Sequence, residues 1–282
     1  MEFKHSEITK DYICDRLNTS LIYYTAQIGA KPLNCLSSSG PKLLSVTGNL
    51  LPDSTNYRRV VGALQYCTIT RLDIAYSVNQ LCQFMHCPRD VHWKVVKRVL
   101  RYLKGTIDVG LYYVPGDIKL NAYCDSDWAG DPDNRRSTTG YGVFLGTNLI
   151  SWSSKKQGVV YRSSTEAKYR SMAHTTAELY WLRMIFHDLK ITLPAAPNLW
   201  CDNIGAIALA SNLVFHARTK HIEIDYHFIR EKVINRDIQV KHISMKDQIA
   251  YVFTKDYSAT CFTLLRGNLS VCILPNSLRG GV

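Results

Sequence analysis

The stretch Ala122-Tyr-Cys-Asp125-Ser-Asp127-Trp128 decides how this chain is read. From 118 to 127 the residues alternate in character. Leu120, Ala122 and Cys124 fall on one side, and Tyr123, Asp125 and Asp127 on the other. A period of two marks a strand with one face in a core, here ending in carboxylates. Downstream, 140–145 and 149–153 read as two further strands, joined by Gly146-Thr-Asn148 as a hairpin. Ser163 opens a long helix reaching 189. A short strand follows at 199–201, then helices at 204–210 and 222–234, a strand at 238–243, and a last helix beginning at Asp247. The order β-β-β-α-β-α-α-β-α predicts an α/β fold: a five-stranded mixed sheet flanked by helices.

Upstream the pattern is mainly helical. Residues 1–30 hold one weakly periodic helix and 31–56 are loop-like. The segments 57–66 and 72–84 are helical in pattern, and 89–104 is amphipathic between Pro88 and Gly105. Its apolar face carries Val95, Val96, Val99, Leu100 and Leu103. Its other face carries Lys94, Lys97, Arg98, Arg101 and Lys104, which serve either as a solvated surface or as a track for a phosphate backbone. Pro115-Gly116 reads as a turn and a domain boundary. The expected organisation is 1–116, mainly helical; 117–258, the mixed sheet; and 259–282, a C-terminal tail.

The 282 residues carry a net charge of +11, positive in both halves, which suits a polyanionic partner. A hydrophobic share of 46% excludes a disordered chain. There are nine cysteines, an odd number with no CxxC pair, as in reduced intracellular thiols. Cys82, His86, Cys87 and His92 lie at irregular spacing in a helical pattern and do not read as a zinc site. The charged N-terminus lacks the apolar core of a signal peptide, and no apolar run approaches the ~18 residues needed to span a bilayer. The expectation is an intracellular chain with no membrane partner.

Asp125 and Asp202 both stand at strand ends, where ligand chemistry gathers in open α/β sheets. Glu166 lies in the first turn of the long helix. Three converging carboxylates would suit Mg²⁺, with Mn²⁺ as a substitute, and a pair of such ions supports phosphodiester hydrolysis. Each acid also has a duller reading. Asp127 caps a turn, Glu166 completes a capping box with Ser163, and Asp202-Asn203 caps the helix that follows.

Eight runs carry a resemblance. They are Tyr57-Arg-Arg-Val-Val-Gly-Ala-Leu-Gln-Tyr, Asp73-Ile-Ala-Tyr, Leu100-Arg-Tyr-Leu-Lys-Gly-Thr, Asp125-Ser-Asp-Trp-Ala-Gly-Asp, Arg136-Ser-Thr-Thr-Gly-Tyr, Ser163-Ser-Thr-Glu-Ala, Cys201-Asp-Asn and Arg218-Thr-Lys-His-Ile-Glu-Ile. Together they resemble the C-terminal part of copia-type retrotransposon Pol polyproteins: a reverse transcriptase tail joined to a ribonuclease H domain. The resemblance implies metal-dependent cleavage of the RNA strand of RNA–DNA hybrids by an Asp-Glu-Asp-Asp set. By position, Asp125, Glu166 and Asp202 would be three of the four. The fourth belongs in the pattern Asp-Gln-x-Ala-Asp, where this chain reads Asp247-Gln-Ile-Ala-Tyr251. A phenol with pKa near ~10 is a poor Mg²⁺ ligand, so impaired hydrolysis is expected. Lys168 also stands where an acid is common in the family, and Glu166 is taken as the residue in register. The polymerase hairpin Tyr-x-Asp-Asp is absent from the sequence, so no polymerase activity is expected. Arg135, Arg136, Lys155, Lys156, Arg218 and Lys220 are expected to contact the hybrid, with His221 assisting product departure. The alternatives are a non-catalytic nucleic-acid-binding module and a decayed relic. Oligomeric state is not legible.

Overall fold

The computed structural model describes residues 31–36, 42–211 and 223–273. They fall into two compact units. The first comprises the described residues up to Tyr112, with Asp256–Gly267 and those from Val271 onward. The second comprises Tyr113–Lys255 with Asn268–Ser270. The chain passes from one to the other a few residues before Pro115-Gly116.

In the first unit, helices α1 (Thr55–Cys67), α2 (Ala75–Cys82) and α3 (Asp90–Gly105) pack together, with a 3-10 turn, Leu72–Ile74, before α2. A short strand, β1 (Val109–Leu111), follows. On α3, Val96, Val99 and Leu100 are buried as their spacing requires, joined by His92 and Tyr102. Lys94, Lys97 and Lys104 of the basic stripe are exposed. Arg101 is not part of an open track, because its Nε donates to the Lys31 carbonyl at 2.8 Å.

Below α3 lies a buried polar cluster. The Arg71 guanidinium grips Asp73 through two hydrogen bonds of 3.0 and 2.8 Å, and Tyr102 donates its hydroxyl to the same carboxylate. Arg71 also donates to the Thr106 carbonyl and hydroxyl, so its fork is largely satisfied. His92 is structural. Its Nδ1 accepts from the Arg89 amide at 3.0 Å, its Nε2 meets the Leu44 carbonyl at 3.1 Å, and Phe84 stacks on its ring.

The second unit holds β2 (Leu120–Asp127), β3 (Thr138–Leu145), β4 (Asn148–Lys156), α4 (Ser164–Asp188), β5 (Asn198–Cys201), α5 (Ile204–Ser211), α6 (Glu223–Ile234) and β6 (Gln239–His242). The strands form one mixed sheet in the order β4-β3-β2-β5-β6. β2, β3 and β4 are antiparallel neighbours, whereas β5 runs parallel to both β2 and β6. Helix α4 lies across β2 and β3, burying Ala167, Met172, Leu179 and Leu182 against Leu120, Ala122, Val143 and Leu199. Each of the leucine, valine and methionine side chains contributes about 1.5–3 kcal/mol by leaving water.

Two expectations are corrected. The last helix of this unit does not form from Asp247; the segment is a 3-10 turn, Ile249–Phe253. Gln248, not Asp247, caps it: its Oε1 accepts from the Ala250 amide while its Nε2 donates to the Cys124 carbonyl at 3.1 Å. That bond ties the turn to β2 and fixes its geometry before a longer helix can propagate. Asp247 instead accepts from the Ser244 hydroxyl at 2.6 Å. Residues 259–273 of the expected tail also carry structure. They form α7 (Ala259–Gly267) and β7 (Val271–Ile273) of the first unit, β7 pairing antiparallel with β1. No helix among the described residues is long and apolar enough to cross a membrane.

Candidate active site

The parallel pairing of β2 and β5 matches Ala122 with Leu199 and Tyr123 with Trp200. Two residues further along that register, Asp125 and Asp202 come side by side. Asp125 is completely buried, and the Asp202 side chain is only 2% exposed. Next to them in the chain, the buried Cys124 thiol donates to the Trp200 carbonyl at 3.5 Å, and Cys201 Sγ accepts from the Asn203 amide at 3.5 Å.

The group between the two carboxylates is the Lys168 ammonium. Its Nζ lies 3.1 Å from Asp125 Oδ1, and 2.5 and 2.6 Å from the two oxygens of Asp202. Burial alone would lower the Lys168 pKa, but the two carboxylates outweigh it and raise it, so the lysine stays charged. Tyr251 donates its hydroxyl to Asp202 Oδ2 at 2.7 Å. Burial and the Asp202 carboxylate push this phenol far above its ordinary value, so it remains a donor. Thr254 donates to Asp125 Oδ2. Lys255 Nζ stands 3.6 Å from the same oxygen and 3.5 Å above the Tyr251 ring. Burial tends to raise the Asp202 pKa, but the Lys168 and Tyr251 hydrogen bonds and the nearby ammoniums hold it below its usual 3.8.

Glu166, expected as the third ligand, is not part of this cluster. Ser163 caps α4, accepting from the Glu166 amide at 3.2 Å, and Glu166 Oε2 turns back to accept from the Arg162 amide at 3.1 Å. The carboxylate is consumed in capping. The reason is helical phase. Counting back from Leu182 through Leu179, Thr175 and Ser171 along the buried face, steps of three and four arrive at 168, not 166. Ser171, one turn after Lys168, donates to the carbonyl of Asp125 itself at 2.7 Å. The buried face that sets this phase is decided by the packing of α4 on the sheet. The capping role foreseen for Asp202-Asn203 belongs to Asn203, whose Oδ1 accepts from the Ala206 amide at 2.8 Å, leaving Asp202 for the cluster. Asp127 accepts from the Thr138 amide across the turn it ends, as a local cap.

The other expected residues lie apart. Arg135 and Arg136 are exposed in the loop between β2 and β3. Lys155 is exposed at the end of β4, and Lys156 pairs with Asp131. A groove of about 630 Å³ runs between β3, β4 and α4, lined by both lysines with Tyr141, Tyr161, Arg170 and His174. Arg218, Lys220 and His221 lie outside the described residues.

The cluster does not fit a divalent ion. Of the three expected ligands only Asp125 and Asp202 meet; both Asp202 oxygens and Asp125 Oδ2 accept hydrogen bonds from an ammonium, a phenol and a hydroxyl, Asp125 Oδ1 has no hydrogen-bond donor but faces the Lys168 ammonium at 3.1 Å, and no third acid joins them among the described residues. The donor set is one that solvates carboxylates, not a metal.

The second unit is thus an α/β domain, a five-stranded mixed sheet with its acid-ended strand at the centre and a long helix laid across it. No protein-family model matches the chain. It is 47% identical over 266 residues to the retrovirus-related Pol polyprotein from transposon RE2 of Arabidopsis thaliana, covering 94% of this chain and 18% of that protein. The corresponding polyprotein from transposon RE1 of the same plant is 48% identical over 258 residues, covering 91% and 18%. Among solved structures, LC11-RNase H1, isolated from compost, is 16% identical and covers 49% of this chain and 93% of that one, with a TM-score of 0.37. The chain is a close relative of these retrovirus-related Pol polyproteins over most of its own length and spans about a fifth of theirs.

Proposed function

We propose that the second unit is a ribonuclease H-like module that binds RNA–DNA hybrid without cutting it. The observation that carries this reading is the Lys168 ammonium lodged between Asp125 and Asp202. Two-metal hydrolysis needs carboxylate oxygens free to hold ions against the attacking and leaving oxygens. Here those oxygens are engaged, and Tyr251 supplies a protonated phenol where the family pattern has an acid. The impairment therefore rests on two side chains rather than on Tyr251 alone.

Binding is supported by the net charge of +11 and by the groove beside α4, where Lys155 and Arg170 stand among tyrosine rings. Contacts to phosphates and 2′-hydroxyls would be the mode, with Arg135 and Arg136 reaching from the neighbouring loop. Arg218, Lys220 and His221 belong to the same reading of the sequence. The first unit is read as a reverse transcriptase remnant without a polymerase site.

The test uses the full chain and a labelled RNA–DNA hybrid, with binding followed by anisotropy and cleavage on a gel in Mg²⁺ and in Mn²⁺. We expect salt-dependent binding and an intact RNA strand in both metals. Cleavage that vanishes in Asp125→Asn overturns the non-catalytic part, and an absence of binding overturns the whole.

A further inference from the structure

We propose that Lys168 is a tethered cation that takes the place of a divalent ion at the ends of β2 and β5, so that this domain folds without metal. The inference deepens the reading above and rests on its description of the cluster. Strand pairing forces Asp125 and Asp202 together, and both are removed from water. Two adjacent buried carboxylates repel and need a counter-charge where they meet. The protein supplies it covalently. The ammonium donates to both oxygens of Asp202 and stands 3.1 Å from Asp125 Oδ1, which has no hydrogen-bond donor and is compensated by this charge.

The charges balance without an ion. Asp125 and Asp202 bring two negative charges, and Lys168 and Lys255 bring two positive ones, the second standing 3.6 Å from Asp125 Oδ2. The phenol of Tyr251 adds a neutral donor in place of a third negative charge. A divalent ion entering this cluster would meet an ammonium at the centre and a net charge of zero around it. From position 168 of α4 the side chain reaches both strand ends, one turn before Ser171, which donates to the Asp125 carbonyl. The residue at 168 therefore decides whether the strand ends hold a lysine or a metal. The Lys168→Glu, Tyr251→Asp double variant removes the ammonium and brings two further carboxylates to the same point, an all-oxygen set suited to Mg²⁺ or Mn²⁺.

The experiment measures heat stability and Mn²⁺ binding, the latter by electron paramagnetic resonance of the free ion, on the full chain. The wild type is expected to keep the same Tm in EDTA and in Mn²⁺, and to bind no Mn²⁺ that Asp125→Asn removes. The double variant is expected to bind Mn²⁺ and to gain about 5–10 °C in Tm at a hundredfold excess over its Kd. Lys168→Arg, which keeps the charge, should remain indifferent to metal. Wild-type protein that binds Mn²⁺ through Asp125 overturns the proposal even if the double variant fails to fold. So does a folded double variant blind to Mn²⁺. None of these readouts involves nucleic acid, so a protein that behaved as described but bound no hybrid would sink the functional reading and leave this one standing.

Discussion

A single side chain can disable a site more thoroughly by filling it than by being missing from it. In the proposed reading Tyr251 merely withholds a carboxylate, whereas Lys168 occupies the space between Asp125 and Asp202. It follows that Tyr251→Asp alone will not give hybrid cleavage in Mg²⁺, because the ammonium still stands at the centre; a gel showing cleavage by that single variant would contradict this order of importance. The second residue-scale prediction concerns Asp73. Burial opposes its charge, yet the Arg71 guanidinium and the Tyr102 hydroxyl overcome that and hold its pKa below the ordinary 3.8. A depressed pKa means the folded state binds the proton less readily than the unfolded chain. The stability it contributes is therefore complete above about pH 4 and is lost as pH falls through the folded value. Urea midpoints measured between pH 6 and pH 2 should show a drop at the acid end that flattens in Asp73→Asn.

Among the elements, the short turn Ile249–Phe253 matters more than its length implies. It carries Tyr251 and leads into Thr254 and Lys255, three of the groups around the acid pair. Its close seat on the sheet depends on Gly140 of β3, where an added Cβ would stand 2.6 Å from Phe253 Cβ and 2.6 Å from Thr254 Cγ2. Both obstacles are near the backbone and cannot swing aside. Gly140→Ala is therefore expected to cost about 1–3 kcal/mol in chemical denaturation, by the strain of overpacking. Because the displaced atoms belong to Thr254, tyrosine fluorescence near Tyr251 should change as well. Helix α4 teaches the converse. Its first turn is governed by local capping, and its second by contact with the sheet, so two residues separate a helix cap from the centre of the site.

At the scale of the whole molecule, the surplus of eleven positive charges is not lodged in one unit. In the second unit it meets a tyrosine-lined groove, and there the hybrid is expected to lie. Each phosphate contact releases condensed counterions, so log K should fall linearly with log salt, by roughly 0.7–0.9 per contact. Lys155→Ala should lower that slope by about one without changing sequence preference, since a lysine on a phosphate carries no base information. Anisotropy titrations at four or more salt concentrations would measure it, and an unchanged slope would remove Lys155 from the interface.

The sequence by itself determined the order of the elements in the second unit, the five strands of the sheet and the family, because alternation, helical periodicity and dense motifs are local properties. It also fixed that Asp125 and Asp202 stand at strand ends. It did not place the third side chain of their cluster. Glu166 matched a motif and a capping box at once, and only the packing of α4 on the sheet separated those roles. Likewise Asp247 had the look of a helix start until the Gln248 bond to Cys124, across 124 residues of chain, shortened that element to a single tight turn. Which carboxylates meet, and which cation lies between them, depends on the register of β2 with β5 and on the rotation of α4 above them. Both are set by burial summed over a whole core, and no run of neighbouring residues encodes them.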